Sequence, residues 1–143
     1  MTNSDRGACG ISRAVTMAGS VLEIEPGAMR ELHRHPNGDE WQYHLAGTAE
    51  MGVDLAEGTV VTEQFEQGDV GYAPMGARHY IRNTGGDVLR VLIGFNNGIY
   101  EQNDISTWIA SNPKDILAAN LGLAAEDVEG LPQETVFMTQ PKA

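Results

Sequence analysis

His33 and His35 stand two residues apart, Glu40 follows five residues later, and a third imidazole, His79, lies downstream in GDVGYAPMGARHYIRN. Residues two apart on a β-strand point to the same side. If Met29 to His35 is extended, both imidazoles leave one face, close enough to share an ion. Pro36, Asn37 and Gly38 are turn-formers, so the chain can reverse there and return as a strand from Glu40, bringing a carboxylate over the same spot. Three imidazoles and one carboxylate make a mixed N/O donor set suited to Mn, Fe, Co, Ni or Zn. Four protein ligands on an octahedral ion leave two positions open, enough for a small bidentate anion or for a substrate plus dioxygen. Arg30, three residues before His33, offers a guanidinium for a substrate carboxylate. Its odd spacing from His33 puts it on the opposite pleat of a regular strand, so an inward Arg30 requires a bulge. His44 lies four residues from Glu40 and can face the same interior, but no motif includes it.

The elements that must hold these groups read as strands. Met29–His35 and Glu40–Ala46 flank the turn. Ala49, Met51, Val53 and Leu55 then alternate with Thr48, Glu50, Gly52 and Asp54, a period of two. Thr59–Phe65, Val70–Ala73, His79–Asn83 and Val88–Phe95 follow, separated by glycine-containing turns at Ala56-Glu57-Gly58, Gln67-Gly68-Asp69 and Thr84-Gly85-Gly86-Asp87. Ser12–Glu25 reads as two short strands with a turn at Gly19-Ser20, after a polar arm over residues 1–10. Many short strands with glycine turns predict a sandwich or barrel. From Asp104 the pattern becomes helical. Asp104 is a candidate cap for a helix with Trp108 and Ile109. Asn112-Pro113 opens a second helix with Ile116, Leu117 and Leu121 on its apolar face and Gly122 as its stop. Ala124–Val128 makes one further turn, and Leu131 to Ala143 is an extended tail.

The chain has 143 residues, the length of one domain. Its net charge of −11 argues against nucleic acid and acidic membrane surfaces as partners. Cys9 is the only cysteine, so no intrachain disulfide supports the fold. No secretory leader and no membrane-length apolar run is evident, which makes a cytoplasmic location the expectation.

Two long patterns carry a family resemblance. Gly27, five residues, His33-x-His35, four residues, Glu40, six residues and Gly47 match the first cupin motif. Gly68, five residues, Pro74-x-Gly76, two residues, His79, three residues and Asn83 match the second. The chain therefore resembles the cupins, and MRELHRHPNGDEWQYH, GDVGYAPMGARHYIRNTG and DISTWIASNP resemble one cupin domain of the oxalate decarboxylases, which are bicupins. The likeness runs from about Gly19 to Leu121.

The resemblance implies an all-β fold, a cupin double-stranded β-helix or jelly-roll barrel with a short C-terminal helical extension. Residues 1–103 would form the barrel with its arm, and 104–143 the helical extension and tail of the same domain. It implies Mn2+ on His33, His35, Glu40 and His79, with Fe2+, Co2+, Ni2+ and Zn2+ as alternatives and dioxygen as a further cofactor candidate. The implied function is a mono-cupin lyase that converts oxalate, or a similar small carboxylate, to formate and carbon dioxide, with Arg30 binding the substrate. The alternatives are an oxalate oxidase, dioxygenase or isomerase, or a non-catalytic small-ligand binder.

The chain departs from the oxalate decarboxylase pattern at the proton donor. The last-strand position of the family's glutamate is Ile93, and in the loop Asn96 to Asp104 the aligned residue is Gln102, with Glu101 beside it. Glu101 is the candidate general acid or base, on a loop expected to act as a mobile lid. A chain that resembles half of a bicupin is expected to pair with a second copy as a homo-oligomer, dimer or higher, clasped by the helices around Trp108 and Leu117.

Overall fold

The computed structural model describes residues 15–55 and 58–140. The N-terminal arm, Ser12 to Ala14, Cys9 and most of the expected Ala56-Glu57-Gly58 turn lie outside them. Ten strands follow one another as β1 (Ala18–Ile24), β2 (Met29–Arg34), β3 (Glu40–Ala46), β4 (Ala49–Leu55), β5 (Thr59–Phe65), β6 (Val70–Ala73), β7 (Arg78–Asn83), β8 (Leu89–Phe95), β9 (Asn103–Asp104) and β10 (Met138–Thr139), with helices α1 (Ile105–Ser111), α2 (Lys114–Leu121) and α3 (Ala125–Val128) between the last two strands. One sheet runs β1-β8-β3-β6. The other runs β10-β2-β7-β4-β5, with β9 added to β2, and all pairs are antiparallel. This is the all-β jelly roll the resemblance implies.

Alternation builds the core. Leu89, Val91, Ile93 and Phe95 of β8 are buried while Arg90 and Leu92 are exposed. Across the interior lie Ala49, Met51 and Ile81 from the opposing sheet. Apolar burial of this kind stabilises by about 25 cal/mol per Å². The turns use glycine where the backbone demands it. Gly47 sits at φ 85°, and a Cβ there would come within 2.9 Å of the Leu89 Cα. Gly76, at φ 80°, donates its N–H to the His35 carbonyl at 2.8 Å, tying the second motif to the first.

Three local readings are corrected. Gly19-Ser20 makes no turn. The two residues run inside β1, opposite Gly94 and Ile93 of β8, and Gly19 serves close backbone packing instead, with its would-be Cβ 3.0 Å from the Ile93 carbonyl. Asp104 does occupy the N-cap of α1, but its side chain does not cap the helix, because Arg30 takes the carboxylate. The second helix begins one residue later than expected, with Pro113 at its N-cap, and Asn112 bonds back to the Trp108 carbonyl. Its stop at Gly122, φ 65°, is the left-handed one expected of glycine.

Candidate metal centre

β2 delivers His33, the turn after it delivers His35, β3 opens with Glu40, and β7 sets His79 directly opposite His33. The four side chains are all buried, and one donor atom from each lies within 4.8 Å of the others. Glu40 Oε2 is 2.7 Å from His35 Nε2 and 3.3 Å from His79 Nε2. The remaining ring nitrogens are committed to main-chain carbonyls: His33 Nδ1 to Glu31 at 2.7 Å, His35 Nδ1 to Glu101 at 2.8 Å and His79 Nδ1 to Ala77 at 3.0 Å. With the proton held on Nδ1, each Nε2 presents a lone pair inward, as a metal-binding imidazole must. Nε2 of His35 is buried and makes no hydrogen bond in the chain. Glu40 Oε1 accepts from Gln42 Nε2 at 2.7 Å, which leaves Oε2 for an ion.

The charge states suit the same purpose. Burial, reinforced by the positive charges of His79 and Arg30, pushes the His33 pKa down to about 2, so the ring is neutral at any physiological pH. Burial opposes ionisation of Glu40, but the His35 and His79 rings beside its carboxylate outweigh it and hold the carboxyl below its ordinary range. Three imidazoles around one carboxylate are a donor set that fits a divalent first-row ion.

Beside the cluster is a cavity of about 40 Å³ lined by Arg30, His33, His35, Glu40, Tyr100 and Phe137 among others, a space that admits only small groups. Arg30 reaches it because β2 is irregular. Its register against β7 shifts between Arg30 and His33, and the consecutive residues Arg30 and Glu31 are both buried. The guanidinium is only partly free. Nη2 bonds Asp104 Oδ1 and, at 3.0 Å, Gln102 Oε1, and Nη1 bonds the Phe137 carbonyl at 3.1 Å.

The Glu101 carboxylate does not reach the cavity. Gln102 and Asp104 turn toward Arg30 and Tyr100 bonds Gln102, while Glu101 and Asn103 are exposed. Glu101 takes part only through its carbonyl, on His35. Ile93 lines the cavity as an apolar wall. The loop is also pinned. Asn96 exchanges hydrogen bonds with Asp39, Asn97 Nδ2 donates to the Asn37 carbonyl, and Asn37 Nδ2 to that of Ile99.

Four residues in the site escaped sequence reasoning. Gln42 was legible in principle, being two residues from Glu40 on the same pleat. Tyr100 packs its ring 5.3 Å from His35 and donates to Gln102, and burial raises its pKa so that it keeps its proton. Glu31 and Phe137 carried no signal, since one depends on the bulge and the other on the return of the tail. His44 points inward and is fully buried, yet its ring stacks on Phe65 at 4.8 Å and is not part of the cluster.

The comparisons agree with this geometry. Residues 9–129 match the cupin family model. The chain is a cupin. It is 39% identical over 119 residues to oxalate decarboxylase OxdC of Bacillus subtilis, which covers 83% of this chain and 31% of that protein. It is 35% identical over 124 residues to a probable oxalate decarboxylase of Arthroderma benhamiae, covering 86% of this chain and 31% of that one. A solved structure from work on the Mn(II) centres of the Bacillus subtilis enzyme superposes with a TM-score of 0.85 at 37% identity, over 90% of this cupin and 34% of that chain. The cupin thus spans about a third of the length of these relatives.

Proposed function

We propose that this cupin holds one Mn2+ on His33, His35, Glu40 and His79 and acts on oxalate or a similarly small carboxylate, converting oxalate and one proton to formate and carbon dioxide. The observation that carries this reading is Arg30, buried and lining the same cavity as three of the four metal-binding side chains. A manganese ion there would supply Lewis-acid charge stabilisation and one-electron chemistry. Arg30 would bind and orient the carboxylate end remote from the ion. Phe95, Ile93 and Tyr100 line the cavity with apolar and aromatic surface.

The proton is assigned to Glu101. To reach the cavity its carboxylate would require the loop to open, with His35 releasing the Glu101 carbonyl it now holds. Glu101→Gln keeps that carbonyl, so it should leave metal content intact and abolish formate production. Arg30→Lys keeps the charge and loses the fork, and should raise KM for oxalate by about tenfold or more. Formate and peroxide assays on Mn-loaded protein with oxalate test the reading, and absence of both products would refute it. A second reading, an oxidase or a non-catalytic carboxylate binder, is favoured by Ile93 and Gln102, since neither can donate a proton where the family pattern has glutamate. Peroxide without formate supports the oxidase, and binding without products supports the binder.

We infer also a homo-oligomer, formed through the outer face of β1-β8-β3-β6. Val21, Leu92, Tyr43 and Val70 make one cross-strand row there, and Trp41 pairs with Tyr72 beside it. All six are exposed, and no charge interrupts them. A specific interface takes about 800 Å² from each partner, and these six side chains would form its apolar centre. With a net charge of −11, two copies approach best through an uncharged face. Of the two residues expected to clasp a second copy, Leu117 is buried in its own chain, whereas Trp108 is exposed, as are Ile105, Ile116 and Leu121 on the same helices. A dimeric mass in solution that Trp41→Glu converts to monomer is expected. A monomeric wild type would refute the interface.

A further inference from the structure

The tail returns to the site with an unusual backbone. Phe137 has φ 61°, the only positive φ at a non-glycine among the described residues. Met138 N–H bonds the Val136 carbonyl at 2.7 Å, closing a three-residue turn of the rare, strained hand about Phe137. Such a conformation persists only where its surroundings over-determine it, and here they do. Phe137 N–H donates to Glu31 Oε1 at 2.7 Å, and Glu31 N–H donates to the Phe137 carbonyl at 3.1 Å. Ser106 fixes the same carboxylate from α1, through its hydroxyl at 2.7 Å and its N–H at 3.0 Å, and its Oγ accepts from Val136 N–H at 2.9 Å. Met138 and Thr139 then pair with Arg30 and Met29 as β10.

The turn places two groups of Phe137 on Arg30. The carbonyl accepts from Nη1, and the guanidinium carbon lies 4.0 Å over the ring centroid. The ring also walls the cavity that Arg30 lines. We propose that Phe137 is a positioning residue, whose ring backs one face of the Arg30 guanidinium while its carbonyl and Asp104 hold Nη1 and Nη2, and which so aims the remaining N–H groups at a carboxylate in the cavity. The ring removes water from one face of the cation, which strengthens its pull on an anion. The buried Glu31–Ser106 pair exists to hold this turn. A cupin of this design completes its anion site with its own tail. The ligand class rests on the carboxylate reading above, whereas the hold on Arg30 does not.

The test uses the full chain loaded with Zn2+, which keeps the protein diamagnetic, in the wild type and in Phe137→Tyr, Phe137→Leu and Phe137→Gly. The Arg30 side-chain Nε–H is followed by 15N NMR, assigned by its loss in Arg30→Lys, and oxalate binding by calorimetry. Glycine accepts the positive φ freely, so Phe137→Gly removes the ring while relieving the backbone. We expect Zn2+ stoichiometry to be unchanged in all variants. The Arg30 signal should exchange at least tenfold faster with solvent in the glycine and leucine variants, with oxalate affinity reduced at least tenfold, and the tyrosine variant should restore both. If the glycine variant fails to fold, the leucine variant decides on the same readouts. An Arg30 exchange rate unaffected by loss of the ring overturns the proposal. A wild type that does not bind oxalate refutes the carboxylate reading alone, because the Arg30 signal still decides the role of Phe137.

Discussion

All four histidines of this cupin are buried, and they divide into two regions that differ in one respect. At the cluster, each ring has a main-chain carbonyl on Nδ1 and turns Nε2 toward Glu40 and its neighbours. Further along β3, His44 has neither nitrogen bonded and lies flat on Phe65. Burial is common to both regions, and so is an inward direction. What separates a ligand from a filler is the bond on the far nitrogen, which fixes the tautomer and the aim of the ring.

The sharpest way to break this comparison is to remove a ring from each region. His79→Ala takes one of four donors and should weaken Mn2+ binding by well over the roughly 100-fold that changes in outer hydrogen bonds reach. His44→Leu should leave Mn2+ affinity within about twofold. Equal losses in the two variants, read by metal titration, would erase the distinction.

An outer-shell change should fall between them. Gln42→Leu removes the donor to Glu40 Oε1 without touching a ligand, and should cost about 10–100-fold in Mn2+ affinity. Unchanged affinity would mean that Glu40 is held by its packing alone.

The smallest effect concerns stability. Burial holds the His44 pKa below its ordinary 6.5, with the Asp69 charge opposing. In the unfolded chain the ring protonates near 6.5, whereas in the fold it takes up its proton only at lower pH, so its contribution to stability is present above pH 6.5 and is lost as pH falls below it. His44→Leu should stabilise the metal-free protein at neutral pH by roughly 1–2 kcal/mol, because two unpaired buried nitrogens are replaced by carbon. It should also flatten the acid loss by at most about 1.4 kcal/mol per pH unit below 6.5. Parallel stability curves from pH 7 to 5 for the two proteins would show that His44 is bonded or hydrated in solution.

The four residues of the cluster were legible because strand alternation and motif spacing are local properties. His33 and His35 share a pleat side, and the turn at Pro36 returns Glu40 to them. The second strand from Met29, the glycine turns and the helix stop at Gly122 were legible for the same reason. What surrounds the ligands was not. The bulge that turns Arg30 inward depends on pairing with β7, and Asp104 reads as a helix cap until Arg30 is seen to claim it. Glu101 and Gln102 cannot be told apart from composition, since one residue of register decides which side chain faces Arg30. Phe137 lies 107 residues from Arg30, a separation at which no spacing rule applies.

In the proposed centre, one divalent ion sits on three Nε2 atoms and one oxygen of Glu40. The most direct measurement is a crystal structure of protein grown with Mn2+, with anomalous data collected on both sides of the manganese edge. A single edge-specific peak is predicted within about 2.3 Å of Nε2 of His33, His35 and His79 and of Glu40 Oε2, with each Nδ1 still on its carbonyl. A peak that excludes any of these four residues, or no peak in fully metal-supplemented protein, would contradict the account.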